Sequence, residues 1–140
     1  MNSRLNMSLR ERRGLVYTVE SSISAYADTG VWTTYFGCDP HDVKRCLHLI
    51  TTELRHLTDA PLSPRQLAAA KRQLCGQLTI AWENRESQAI GMTKRLQLTD
   101  CIYSLDEIIA AIQDLTADAL LHTARLIFSP EHLKTLIYDN

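Results

Sequence analysis

The chain of 140 residues carries a formal net charge of −1 and is 45% hydrophobic, which fits a single globular domain with an apolar core. Its near-neutral charge argues against a dedicated nucleic-acid binder, because the only basic cluster, residues 10–13, contains Glu11. No apolar run approaches the length of a membrane-spanning helix and no signal-peptide pattern opens the chain, so we expect no membrane association.

The first predicted element is a helix over residues 3–13. Leu5 and Leu9 recur at helical spacing and should face inward, whereas Arg12 and Arg13 fall in the last turn, where cations stabilise a helix. Gly14 is expected to end this helix, because glycine adopts the left-handed conformation of a helix end at little cost.

A β-hairpin is predicted next. Residues 15–26 are rich in β-branched and aromatic side chains, residues 28–30 (Asp-Thr-Gly) are a turn signal, and residues 31–36 form a second apolar run. The first strand is long, which predicts a bulge or bend near Ser21 and Ser22.

Helix start signals follow at Asp39-Pro40, Ser63-Pro64, Ser104 and Thr116. In the first of these helices the apolar side chains recur every three or four residues, at Val43, Cys46, Leu47, Ile50, Leu54 and Leu57. The second is expected to run to about Leu98 and to bend or break at Gly76 and Gly91.

Residues 133–138 alternate as a last short strand. The order of one helix, two strands, four helices and one strand predicts an α+β fold, with helices layered on one face of a mostly antiparallel sheet. Three strands are few for so much helix, so we expect residues 1–140 to form a single partial domain with further strands upstream of Met1. Such a fragment would expose sheet edges and apolar helix faces, and we expect it to self-associate.

His48, Glu53 and His56 are the residues that invite a metal-site interpretation. The two histidines lie roughly 80° and 12 Å apart on a helix, whereas helical zinc motifs place them four residues apart. The four cysteines include no C-x-x-C pair and suit buried thiols in a reducing compartment. We therefore expect no metal and no other cofactor in this chain.

Arg10 and Tyr17 are the remaining candidates for chemistry. From spacing alone, the simplest interpretation is an exposed arginine at a helix end and an ordinary strand aromatic. The alternative is that the guanidinium and the phenol both donate hydrogen bonds to a carbonyl or a developing oxyanion. Such donors help catalysis only if the nucleophile or metal comes from elsewhere.

The context of these two residues resembles the insulinase/pitrilysin family of zinc metallopeptidases, in its processing-peptidase-like bacterial branch. The matching segments are residues 3–5 (Ser-Arg-Leu), residues 10–17 (Arg-Glu-Arg-Arg-Gly-Leu-Val-Tyr) and residues 28–30. Members carry S-R-L, then R-E-x-R-G-L-x-Y, then a strand and a D-T-G turn. The resemblance extends more loosely over the rest of the chain.

The resemblance implies a clamshell of homologous domains. One family domain carries an H-x-x-E-H zinc motif, and another carries an arginine–tyrosine pair that helps hold the peptide substrate near the zinc. Arg10 and Tyr17 match that pair, but no H-x-x-E-H occurs in these 140 residues. The chain thus resembles the C-terminal two-thirds of the arginine–tyrosine domain and is expected to be inactive alone.

Two functions within the family follow from this resemblance. The chain is either a fragment or subunit of a zinc-dependent metalloendopeptidase, acting on peptides with a zinc-bearing domain or subunit, or a non-catalytic peptide-binding or scaffolding subunit. An unrelated α+β interaction module is the third possibility. We expect a cytoplasmic location, with the periplasm as the alternative for the parent protein.

Overall fold

The computed structural model describes residues 3–26 and 28–138 and confirms the predicted α+β class. Two compact units are present, one made of residues up to Ala60 and from Leu121 onward, the other of Pro61–Leu120. The elements in chain order are a π-helix (Asn6–Glu11), β1 (Thr18–Ala25), β2 (Gly30–Gly37), a 3-10 helix (Pro40–Asp42), α1 (Val43–Asp59), α2 (Pro64–Trp82), α3 (Arg85–Thr99), α4 (Leu105–Asp114) and α5 (Ala117–Ile127).

The N-terminal helix is wider than an α-helix. The N–H of Met7 donates to the carbonyl of Ser3, four residues back, at 2.9 Å, but the N–H of Arg12 donates to Met7, five residues back, at 3.1 Å. Bonds across five residues define a π-helix, which is rare, short and frequent at functional sites. The predicted helix over residues 3–13 is thus present, with π rather than α geometry over Asn6–Glu11.

Gly14 ends this helix as predicted. Its φ is +59°, in the left-handed region that glycine enters without steric penalty. Its N–H donates to the carbonyl of Arg10 at 2.8 Å, and the N–H of Leu15 donates to Leu9 at 2.9 Å. These bonds satisfy carbonyls that the helix end would otherwise leave without partners.

The hairpin has an unbroken antiparallel register from Thr18 opposite Gly37 to Ala25 opposite Gly30. The predicted bulge near Ser21 and Ser22 is therefore wrong. The hydroxyl of Ser21 lies 2.8 Å from that of Thr34, its direct cross-strand partner. The predicted strand starts at Leu15, whereas β1 starts at Thr18. The first residues of the predicted strand belong to the turn and the core.

One apolar cluster forms the core of the first unit. Leu9 and Cys46 are fully buried, and Leu5, Val16, Ile50 and Leu54 complete the cluster. Val19, Trp32 and Phe36, which share one face of the hairpin, pack against it. Trp32 also meets Phe128 edge to face, with ring centroids 4.9 Å apart. The predicted inward faces of the N-terminal helix and α1 are confirmed.

The second unit contains α2, α3 and α4, and no described residue of these helices is buried. The predicted capping boxes are present at Ser63 with Gln66 and at Ser104 with Glu107. Each box satisfies N–H groups at a helix start reciprocally.

The long second helix breaks at Asn84, and the predicted weak points were wrong. Gly76 and Gly91 lie inside α2 and α3. The side chain of Asn84 accepts the N–H of Ser87 at 3.0 Å. An asparagine can satisfy the free N–H groups of a new helix, which a glycine has no side chain to do.

The predicted last strand is also wrong, because residues 133–138 have no regular structure. Leu136 and Tyr138 are 76% and 89% exposed. A strand needs a neighbour to pair its N–H and C=O groups, and the sheet of the described residues has two strands, both in the hairpin. No described helix combines the length and the apolar character needed to cross a membrane.

Replacing Gly14 with alanine should destabilise the first unit by about 1 kcal/mol, because a Cβ is strained at a left-handed φ. An added Cβ would have no heavy atom within 4 Å, so the effect is conformational rather than steric. Urea denaturation followed by circular dichroism measures it.

Gly76→Ala is the matched control for this substitution. Its added Cβ also has no heavy atom within 4 Å, and no positive φ applies there. Alanine is the better helix former by about 0.5–1 kcal/mol, so this variant should be neutral or more stable. Equal effects of the two variants would contradict the conformational explanation.

Self-association is expected because large apolar side chains are exposed in both units. Ile80 is 73% exposed, Ile23 is 74% exposed and Leu136 is 76% exposed. Size exclusion with light scattering at micromolar concentration should show species larger than a monomer, and Ile80→Ser should weaken the association. A clean monomer at these concentrations would contradict the expectation.

Candidate functional site

Arg10 lies in the last turn of the π-helix, and its side chain is exposed. The residue before it, Leu9, is fully buried, so the backbone that carries Arg10 is held by the core. The described residues give its guanidinium no hydrogen-bond or ion-pair partner. Arg13 differs, because its guanidinium donates to the carbonyl of Ser8 at 2.7 Å and to the Ser8 hydroxyl at 3.1 Å. Arg10 is therefore available to a ligand, whereas Arg13 is engaged within the helix.

Tyr17 occupies the corresponding position at the start of the hairpin. It follows Val16, a buried member of the core, and its own side chain is 70% exposed. Its N–H donates to the carbonyl of Gly37 at 2.8 Å. Its hydroxyl donates to Oδ1 of Asp39 at 2.7 Å. That hydrogen bond and the negative charge of Asp39 raise the pKa of the Tyr17 phenol above its usual value, because both favour the neutral form.

Asp39 performs a different role from the one predicted. Its backbone precedes the 3-10 helix, and its carbonyl accepts the N–H of Asp42 at 2.9 Å, but its side chain makes no capping hydrogen bond. The carboxylate instead binds Tyr17, 22 residues earlier in the chain. The spacing alone gave no signal for this contact. The hairpin register would have given one, because Thr18 opposite Gly37 brings Tyr17 beside residues 38 and 39.

The two predicted site residues lie on either side of the Gly14 turn in the same unit. Among the described residues, no hydrogen bond or ring contact joins their side chains. Each follows a buried core residue and projects into solvent. The arrangement offers one unpartnered cation and one phenol oxygen to an external ligand.

A candidate metal group lies next to Tyr17. Within residues 3–26 and 28–138, the one set of three potential ligands is Asp39, His41 and Asp42, whose ligand atoms lie within 4.8 Å of one another. Nε2 of His41 is 3.2 Å from Oδ2 of Asp42, and the His41 side chain is 77% exposed. The set does not fit a catalytic zinc ion, because it supplies a single nitrogen ligand and Asp39 already accepts a hydrogen bond from Tyr17.

The residues of the earlier metal-site interpretation lie on α1. Nδ1 of His56 is 3.9 Å from Oε2 of Glu53, which is a loose contact on the surface of the helix. His48 is also exposed, on a different part of the same helix.

All four cysteines are free thiols. Burial, together with the neighbouring Cys38, raises the pKa of the Cys46 thiol to about 11, so Cys46 is an inert core residue. The prediction of buried thiols holds for Cys46 but is wrong for Cys101, which is exposed.

Comparison with known sequences places these features in a family. Residues 1–74 match the family described as the peptidase M16 inactive domain. An uncharacterised zinc protease of Streptomyces coelicolor is 32% identical over 125 residues, covering 89% of this chain and 27% of that protein. The zinc protease YmxG of Bacillus subtilis is 29% identical over 98% of this chain and 34% of its own length. A Rickettsia felis zinc protease is 31% identical over 100% of this chain and 34% of its own length.

A solved structure supports the same fold. The periplasmic protease PqqL from Escherichia coli superposes with a TM-score of 0.62 at 16% identity, over 86% of this chain and 14% of its own chain. This chain spans about a third of the length of the curated relatives it matches. The family match over more than half of the chain confirms the resemblance found in the sequence, and the protein belongs to the M16, or insulinase/pitrilysin, family of metallopeptidases.

Proposed function

We propose that this chain is part of a zinc-dependent metalloendopeptidase and that it contacts the peptide substrate through Arg10 and Tyr17. The observation that carries the proposal is the state of Arg10. Its guanidinium is exposed and has no partner among the described residues, while the backbone beneath it is anchored by buried Leu9. The fixed backbone sets where the Arg10 side chain starts, and its guanidinium has no internal hydrogen bond or ion pair to give up before it binds a ligand.

A guanidinium suits the stabilisation of a carbonyl oxygen that gains charge. Arginine stays protonated at any working pH and donates from a planar fork of N–H groups. Peptide hydrolysis passes through a tetrahedral intermediate whose oxygen carries negative charge, and a positioned donor stabilises it more than it stabilises the substrate. Arg10 supplies such a donor, and Tyr17 supplies a second polar contact on the other side of the Gly14 turn.

The zinc ion would come from a complementary domain or subunit. This chain contains no H-x-x-E-H, and its one described three-ligand group does not fit a catalytic zinc. Its relatives are named zinc proteases and are about three times longer, which leaves room for a zinc-bearing domain in each of them. We infer that this chain alone hydrolyses no peptide.

The alternative function is a non-catalytic subunit that binds peptides or serves as a scaffold. The description of the matched family domain as inactive fits a zinc-free domain of an active peptidase, and it fits this alternative equally well. In that case Arg10 would contribute to peptide binding and nothing in the assembly would depend on it for turnover. A cytoplasmic location remains our proposal for the chain, and the periplasmic relative keeps the periplasm as the alternative for the parent.

Arg10→Ala should lower kcat/KM of the complete peptidase, in which this chain is paired with its zinc-bearing domain, by roughly 10²- to 10³-fold. The loss should appear mainly in kcat, because the charge of Arg10 is matched to the transition state rather than to the ground state. Cleavage of an internally quenched peptide measures both constants.

Arg12→Ala is the matched control, because Arg12 is an exposed arginine at the end of the same helix. It should leave kcat/KM nearly unchanged. Equal turnover by the Arg10→Ala variant and the wild type would contradict the proposed function. Peptide binding by the assembly without any turnover would favour the non-catalytic alternative.

A further inference from the structure

We propose that Asp39 is a positioning residue that makes the Tyr17 hydroxyl a hydrogen-bond acceptor for an N–H group of the bound peptide. The inference deepens and rests on the proposed function, in which Tyr17 contacts the peptide. It differs from the expectation that the guanidinium and the phenol both donate. In the structure the two residues offer opposite hydrogen-bonding polarity.

The argument starts from the number of protons on a phenol. A tyrosine hydroxyl donates one hydrogen bond and can accept others. Tyr17 directs its proton to Oδ1 of Asp39 at 2.7 Å, a short distance typical of a bond to a charged acceptor. While that bond exists, Tyr17 has no proton for a substrate carbonyl. Its remaining lone pairs face solvent, since the side chain is 70% exposed.

Donation to a carboxylate also makes the phenol oxygen a better acceptor. A hydroxyl whose proton is drawn toward a negative charge gains electron density on oxygen, and chains of hydrogen bonds strengthen one another in this way. A backbone N–H is the donor that every extended peptide offers. Tyr17 can therefore accept an N–H of the peptide while Arg10 donates to a carbonyl oxygen.

Both partners are fixed before any ligand arrives. Tyr17 is held by its N–H bond to Gly37 and by the burial of Val16. Asp39 is followed by Pro40, whose ring fixes the backbone φ, and its carbonyl accepts the N–H of Asp42. An aspartate that precedes a helix normally caps it with its side chain, but the side chain of Asp39 makes no capping hydrogen bond. Its carboxylate is available for Tyr17 because helix capping does not use it.

The groups around this pair leave the contact intact near neutral pH. Cys38 and Asp42 are the further titratable groups that act on Tyr17, and both raise its phenol pKa, as Asp39 does. His41 lies 3.2 Å from Asp42, and its ring nitrogen is also within 4.8 Å of a carboxylate oxygen of Asp39. Because the hydrogen bond requires the protonated phenol and the pKa of that phenol is raised, the bond persists through neutral pH and is lost as the pH rises through that raised value.

A spectroscopic test uses the chain itself, labelled with carbon-13 at the tyrosine Cζ. The chain has five tyrosines, and the signal missing from Tyr17→Phe identifies Tyr17. Its titration midpoint should lie above about 10, the ordinary tyrosine value, in the wild type and should fall toward that value in Asp39→Ala. Asp42→Asn removes a nearby charge without removing the hydrogen bond and should change the midpoint less. An unchanged midpoint in Asp39→Ala would overturn the inference.

A kinetic test uses the complete peptidase and an internally quenched peptide. Asp39→Ala should lower kcat/KM by about 2- to 10-fold, and it should have no further effect in a Tyr17→Phe background. Replacing each peptide N–H in turn by an ester oxygen should reveal one position at which the wild type loses activity and Tyr17→Phe does not. Equal or higher activity of Asp39→Ala, or an ester scan without such a position, would overturn the inference.

These outcomes separate the inference from the function on which it rests. If Tyr17→Phe is impaired but Asp39→Ala is not, the positioning role of Asp39 is wrong and the role of Tyr17 stands. If Arg10→Ala and Tyr17→Phe both match the wild type, the proposed function itself is wrong. A purely structural role of Asp39 would lower stability without producing the ester-scan difference.

Discussion

The burial of Leu9 and Val16 in one apolar cluster is the constraint on which the candidate site depends. Leu9 is fully buried and Val16 is 5% exposed, and the Gly14 turn lies between them. Each is followed directly by a site residue, Arg10 after Leu9 and Tyr17 after Val16. The core therefore fixes the backbone at two points, while the side chains of the next residues reach solvent. The backbone under the two candidate side chains is thus held in place without burying any charge.

The π-helix widens the contact between the N-terminal segment and the core. Leu5, Asn6, Ser8 and Leu9 are all buried, a broader buried face than the three-and-four spacing of an α-helix gives. Ser8 is satisfied by Arg13, but the side-chain oxygen of Asn6 has no partner among the described residues. A buried acceptor without a donor destabilises a fold by about 1–3 kcal/mol.

Local signals in the sequence predicted the helix ends well. Ser63, Ser104 and Gly14 act through residues three or four positions away, so their effect can be read directly from the chain. The apolar stripe of α1 could be predicted just as directly, because a buried helix face requires only that apolar residues recur every three or four positions.

The failures share the opposite property, since each depends on atoms that are distant in sequence or on a competition between two local signals. Residues 133–138 alternate like a strand but have no strand beside them. To predict the break at Asn84, the capping ability of this asparagine must be weighed against two glycines that weaken a helix. The helix breaks at the asparagine. The π geometry has no spacing signature, and the Tyr17 contact spans 22 residues. Arg10 and Tyr17 were proposed from their sequence context, whereas the contact of Asp39 with Tyr17 could be predicted only once the hairpin register was known.

The same register brings the carboxylate of Asp39 to Tyr17, while the guanidinium of Arg10 has no partner among the described residues. A carboxylate beside Arg10 would hold the guanidinium in an ion pair, whereas the neutral Ser8 oxygens hold Arg13 by hydrogen bonds alone. The hairpin instead ends with Thr18 opposite Gly37, which delivers the acidic residue that follows β2 to Tyr17. A phenol loses little by this contact, because it stays neutral and keeps its acceptor lone pairs. The pairing of the two strands thus places the Asp39 carboxylate at Tyr17, and no described carboxylate pairs with the guanidinium of Arg10.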